Sequence, residues 1–231
     1  MRIRPGLLFA TLLAAAVSAH GSTFVIDNFS CPDSVSTTGP VFASNVISCA
    51  SAIGGTREDA IFFTGGSGSS SSTLVSGSGS ITGTIGADLD GSDILVWGLK
   101  GGDFTLPDLN LSGDSILIQI ESDTGGTLTI NLASSSTTTS NFLSYSASFP
   151  VSASFVDLLI PLTNPTIIGT GANVDAVTGI GLSVSVPGGG SWTMDGIAAV
   201  PEPSTLLLLA IGLLLLVMIR SLARVKAGPL I

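Results

Sequence analysis

Apolar residues fall on every second position in one segment of this chain after another, and that period constrains the fold more than any other feature. Ile116, Ile118 and Ile120 alternate with Leu117 and Gln119, and Leu128, Ile130 and Leu132 alternate with Thr127, Thr129 and Asn131. Side chains two apart share one face of a strand, so each segment has one face to bury and one to wet. Between them Ser122, Asp123, Thr124, Gly125 and Gly126 carry turn chemistry, and the two segments read as a hairpin. Residues 24–29, 74–85, 94–99, 156–160, 180–186 and 192–200 extend the pattern, broken at Asn164, Pro165 and residues 187–190. The dense run at 94–99 predicts a central strand. No window in this part of the chain repeats at 3.6 residues. Many β-branched residues and glycine turns then predict an all-β fold, a two-sheet antiparallel β-sandwich.

Composition enters once the two ends are set aside. Between His20 and Val200 the basic residues are Arg57 and Lys100, against fifteen acidic ones, a formal charge near −13. Such a surface repels phosphate backbones, so no nucleic-acid partner is expected. The serine-, threonine- and glycine-rich runs at 65–72 and 134–140 predict exposed loops. Their hydroxyls are candidates for O-glycosylation, with plain soluble linkers as the simpler reading.

The chemistry carried by this stretch is sparse. Cys31 and Cys49 enclose seventeen residues, and in an exported chain that spacing predicts a structural disulfide. A catalytic thiol or a metal pair is the alternative, and neither has a histidine nearby. The single histidine, His20, stands at the end of the N-terminal segment, so a serine- or cysteine-based nucleophile lacks its base. Glu58 with Asp59, and Glu121 with Asp123, are the acid pairs from which a glycosidase would have to be built. Solvated surface acids are the ordinary explanation, and a non-catalytic protein is expected. Asp88, Asp90 and Asp93 surround Gly91 and offer oxygen ligands to calcium, or else form an acidic turn ahead of a strand. No other cofactor is expected. Trp192 and Tyr145 are the candidate stacking platforms for a sugar ring, with burial as the competing reading, while Trp97 lies within an apolar strand and reads as core.

The ends carry sorting information. Arg2 and Arg4 precede an apolar stretch at 7–17 and the small residues Val17, Ser18 and Ala19, so residues 1–19 read as a cleavable signal peptide. At the other end Pro201, Glu202 and Pro203 precede fourteen apolar residues, 206–219, and then Arg220, Arg224 and Lys226. The prolines block an earlier helix start, and the apolar run predicts a single helix of about 21 Å, a marginal membrane span. The basic residues place its far end on the cytoplasmic side. Three segments follow: a signal peptide at 1–19, a β-sandwich ectodomain at 20–199 and a sorting segment at 200–231.

That order of Pro201, Glu202, Pro203, apolar run and basic tail resembles the PEP-CTERM signal. The resemblance implies export by an exopolysaccharide-producing bacterium, an exosortase-type processing enzyme as partner and at least transient contact with the inner membrane. It implies no activity. Residues 25–29 and 192–197, an early Asp27-Asn28-Phe29 and a late Asp195-Gly196-Ile197, with Gly54, Gly55, Thr56, Arg57 and Glu58 and with Ala87, Asp88 and Leu89 between them, resemble the galactose-binding-like jelly-roll domains. Taken together these imply a surface or matrix protein that binds exopolysaccharide. A structural or adhesive protein without a sugar site is the alternative, and a carbohydrate-active enzyme the third.

Overall fold

The computed structural model describes residues 23–100, 103–134 and 141–202. The expected signal peptide and the apolar helix at 206–219 lie outside the described residues. So does nearly all of the 134–140 run. The sandwich occupies the unit Thr23–Val200.

In chain order the strands are β1 (Phe24–Asp27), β2 (Asp33–Thr38), β3 (Ala43–Ser48), β4 (Thr56–Gly66), β5 (Ser71–Gly77), β6 (Ser80–Thr84), β7 (Leu89–Trp97) and β8 (Leu99–Lys100). They continue with β9 (Asp103–Phe104), β10 (Asp114–Ser122), β11 (Gly126–Ala133), β12 (Phe142–Phe149), β13 (Ser152–Pro161), β14 (Thr166–Ile168), β15 (Gly179–Ser185) and β16 (Ser191–Pro201). The first sheet runs β13-β10-β16-β6-β5-β2, with β1 also paired to β16. The second runs β14-β12-β11-β15-β7-β4-β3, and β8 and β9 form a short ribbon.

Period-two burial gives each strand one inward row. In β7 these are Leu89, Gly91, Asp93, Leu95 and Trp97, while Asp90, Ser92, Ile94 and Val96 turn outward. Ile116, Ile118, Ile120, Trp192 and Met194 of the first sheet join Leu128, Ile130, Leu132, Leu182 and Val184 of the second in one core. At about 25 cal/mol per Å² of apolar area removed from water, that shared core is the main favourable contribution to folding. The interior position of β7 between β15 and β4 matches the expectation of a central strand.

The expected hairpin is corrected. β10 pairs with β13 in the first sheet, and β11 pairs with β12 and β15 in the second. The turn therefore carries the chain across the sandwich rather than back along a neighbour. Asp123 holds it there: its carboxylate accepts the Ser191 N–H at 2.7 Å and the Ser191 hydroxyl at 2.8 Å, which ties the crossing to the start of β16. Gly125, at φ 68, supplies the left-handed residue the crossing needs, with the Phe149 carbonyl oxygen 3.0 Å from where a Cβ would sit. The strands β2, β3 and β14 are too polar or too short to have been legible as alternation, whereas β12 does alternate, with Leu143, Tyr145, Ala147 and Phe149 set against serines.

The Cys31–Cys49 disulfide forms, with the Cα atoms 5.6 Å apart. It joins the segment after β1 to the segment after β3 and so links the two sheets covalently.

Candidate functional site

Two polar cross-links occupy the core, and they account for both tryptophans. In β1 the register slips between Val25 and Asp27, so that Ile26 and Asp27 both turn inward. A bulge of this kind is what lets a carboxylate follow an apolar residue into the core. Asp27 Oδ2 accepts the Trp97 indole N–H at 2.9 Å and Arg57 Nη1 at 2.9 Å, and Oδ1 accepts the Phe29 N–H at 2.8 Å. Arg57 also donates from Nε to Asp59 at 2.6 Å and from Nη2 to Asp59 at 2.9 Å and to Ser76 at 2.5 Å. The ring of Phe29, a residue held at φ 51, lies 5.3 Å from the guanidinium carbon. Burial alone would lower the Arg57 pKa, but the bonds and charges of Asp59 and Asp27 hold it above its ordinary value. Burial, with a smaller contribution from the neighbouring Asp33, raises Asp59 to about 6 against the pull of Arg57.

The second cross-link runs the other way. Asp93, from the second sheet, accepts the Trp192 indole N–H of the first sheet at 2.7 Å. No cation faces it, and among the described residues its Oδ1 has no partner. Burial pushes its carboxyl up to about 8, so it carries a proton at neutral pH. Gly83 of β6 leaves the room for this pair, since a Cβ there would meet Asp93 Oδ2 and the Trp192 ring.

These contacts redefine the expected sites. Trp192 is 1 % exposed and Tyr145 5 % exposed, so neither offers a face on which a sugar could stack. The polar handle of Trp192 goes to Asp93, and burial raises the Tyr145 phenol. Asp88, Asp90 and Asp93 do not converge. Asp90 and Asp93 are three apart on one strand, and an odd separation puts them on opposite faces of the sheet. Asp88 accepts the Ser70 hydroxyl at 3.1 Å. Of the acid pairs, Asp59 is inside with Arg57 while Glu58 faces out. Glu121 and Asp123 do line one cleft of about 280 Å³, together with Ser152, Ser191 and Thr193. The Ser191 backbone N–H holds Asp123 below the usual carboxylate range, the reverse of what a proton-donating acid needs.

The surface that gathers binding chemistry is the outer face of the second sheet. Register places Ser148, Thr127 and Ser185 in one row across β12, β11 and β15, and Ser146, Thr129 and Ser183 in the next. Thr129 and Ser146 share a hydrogen bond at 2.9 Å, and the Ser185 hydroxyl donates to the Gly91 carbonyl at 3.2 Å. The first row continues onto β7 and β4 as Ser92 opposite Phe62, and the second as Ile94 opposite Ala60. Continuing the Ala43–Ile61 pairing sets Phe42 opposite Phe62. Phe42 is 57 % and Phe62 46 % exposed, with exposed Val41 and Val46 beside them. The face is thus aromatic at Phe42 and Phe62, acidic further along β4 at Glu58, and hydroxyl-lined over β15, β11 and β12. Sequence reasoning passed over Phe42 and Phe62 because it took tryptophan and tyrosine alone as platforms. Nothing in the sequence marks either as outward: Phe62 falls in the unbroken apolar run 60–63, and Phe42 lies outside any alternating segment.

Residues 199–224 match the PEP-CTERM protein-sorting motif, as expected from Pro201, Glu202 and Pro203. The first of these residues, Ala199, already belongs to the core end of β16. No curated protein sequence matches the chain. Among solved structures it is similar to a family 11 carbohydrate-binding module from Clostridium thermocellum in complex with a β-1,3-1,4-mixed-linked tetrasaccharide. The two are 16 % identical over 78 % of this chain and 95 % of that one, with a TM-score of 0.42. A family 29 carbohydrate-binding module from Piromyces equi is 12 % identical over 73 % and 91 %, with a TM-score of 0.38. An exo-β-agarase is 11 % identical over 79 % of this chain and 25 % of its own, with a TM-score of 0.40.

Proposed function

We propose that the chain is an exported, non-catalytic protein of the cell surface or extracellular matrix, processed by an exosortase-type enzyme and held at the membrane during sorting. In this reading it holds exopolysaccharide on the outer face of the second sheet. The sorting motif at 199–224 supports the address. The observation that carries the binding role is the exposed Phe42 and Phe62 pair in register with rows of serine and threonine hydroxyls. Sugars are amphiphilic: their C–H faces pack on aromatic rings and their hydroxyls exchange hydrogen bonds with hydroxyls. A sheet face that is half aromatic and half hydroxyl matches both.

The test is a titration of the purified, oxidised protein with exopolysaccharide from the organism that makes it. Saturable binding is expected, and Phe62→Ala is expected to weaken it about tenfold, equivalent to about 1.4 kcal/mol. Glu121→Gln, in the cleft on the other sheet, is expected to leave it unchanged. Absence of saturable binding, or binding indifferent to Phe42→Ala and Phe62→Ala together, would sink the reading.

A further inference from the structure

We infer that the binding face selects uncharged polysaccharide and excludes acidic polymers, and that Glu58 and Asp90 are the residues that exclude them. The inference rests on the polysaccharide reading above and adds the class of polymer. Its ground is where the two acids sit. Along β4 and β7 the outward positions run Asp90 beside Gly65, then Phe62 with Ser92, then Ala60 with Ile94, then Glu58 with Val96. The aromatic row and its neighbour therefore lie between two acidic side chains.

A polymer following the row from Phe42 and Phe62 to Ser148 passes about 7 Å from Asp90 and about 13 Å from Glu58, two and four residues of strand away. Asp90 is within the Debye length of about 8 Å at physiological salt, and Glu58 stands at that same distance from the second row at Ala60, so each row feels one of the two acids. Among the described residues the basic side chains are Arg57 and Lys100. Arg57 is fully buried against Asp27 and Asp59, and Lys100 lies on β8, off the binding sheet. Uronate, sulfate or pyruvate groups on a polymer would meet repulsion from both sides and a counter-charge from neither. Hydroxyls meet the serine and threonine rows without such a cost. A unit charge about 7 Å away in water changes affinity by about threefold without salt and by about 1.5-fold at a Debye length of about 8 Å, and a polymer repeats that penalty with each charged residue in reach.

The experiment separates the exopolysaccharide into neutral and acidic pools on an anion exchanger and measures retention of each by the intact protein. Retention of the neutral pool alone at physiological salt is expected. In about 1 M salt, where the Debye length falls to about 3 Å, the acidic pool is expected to gain at least threefold. The double variant Glu58→Gln, Asp90→Asn is expected to make the same gain at physiological salt while its neutral binding stays unchanged. Asp90 is exposed and Glu58 half-buried on the outer face, both outside the core, and a matched thermal melt verifies that the variant stays folded. Wild-type retention of the acidic pool equal to the neutral one would overturn this inference and leave the polysaccharide reading standing. An acidic pool still excluded by the double variant would overturn the assignment to Glu58 and Asp90. Retention of neither pool would remove the polysaccharide reading and this inference with it.

Discussion

Asp27 and Asp93 each reach across the sandwich to an indole N–H, but they sit in opposite electrostatic settings. Asp27 is met by Arg57, Trp97 and the Phe29 N–H, and Arg57 is itself shared with Asp59 and Ser76. Among the described residues Asp93 is met by Trp192 alone. The first site keeps charge in the core by surrounding it with donors, whereas the second tolerates a carboxyl by leaving it protonated. The same pair of residue types therefore serves as a charged knot at one end of the core and as a neutral hydrogen bond at the other. A buried carboxylate is stable only if something nearby is positive, and only one of these two has such a neighbour.

The comparison can be broken most forcefully at Arg57. Arg57→Leu leaves Asp27 and Asp59 buried without their cation, and a loss of about 3–5 kcal/mol is expected in urea unfolding. A loss below about 1 kcal/mol would mean that the knot is not held by charge. Next comes the neutral end: Gly83→Ala drives a methyl into the Asp93 and Trp192 contact and is expected to destabilise by about 1–3 kcal/mol. Removing the indole donors sharpens the contrast further. Trp97→Phe and Trp192→Phe each lose one hydrogen bond as well as some packing. Trp192→Phe should cost more, by about 1 kcal/mol, because Asp93 has no second donor.

The smallest effect at acid pH is that of Asp93→Asn, and its pH dependence is the most informative. A carboxyl raised to about 8 in the fold and near 3.9 in the unfolded chain binds its proton more tightly when folded. Its contribution is intact below about pH 3.9 and is lost as pH rises to about 8. Asp59, raised to about 6, gives the same sign over the lower part of that window. Thermal melts of the wild type should thus fall in midpoint from pH 4 to pH 8. Asp93→Asn should flatten the curve above about pH 6 and roughly halve its slope below, where Asp59 still contributes. An unchanged slope between pH 6 and pH 8 would show that Asp93 does not titrate there.

Much of the architecture was legible from single residues. The alternation at 116–120 and 128–132 marked strands, and the dense run at 94–99 marked an interior one, because a strand's burial period is a local property of the chain. Cys31 and Cys49 were legible as a bridge for the same reason that sparse cysteines in an exported chain usually are. The candidate site was far less so. Residues 56–59 are polar and 60–63 apolar, so nothing there alternates and nothing says which face looks outward. Arg57 and Asp59 would have been assigned to solvent on residue type alone, and they are the ones inside.

By itself the sequence determined an all-β chain, with strands whose inward rows are fixed by a two-residue period, and a PEP-CTERM sorting motif whose meaning is linear. Only the tertiary structure decided which strands are partners. The turn at 122–126 is equally compatible with a hairpin and with an arch, and the bonds from Asp123 to Ser191, distant in sequence, select the arch. It also decided that Asp27 enters the core, through a bulge that one register slip creates, and that Trp192 serves Asp93 rather than a ligand. The reason is common to all three. Strand period is set by neighbours along the chain, whereas pairing, bulges and buried polar contacts are set by neighbours that only folding brings together.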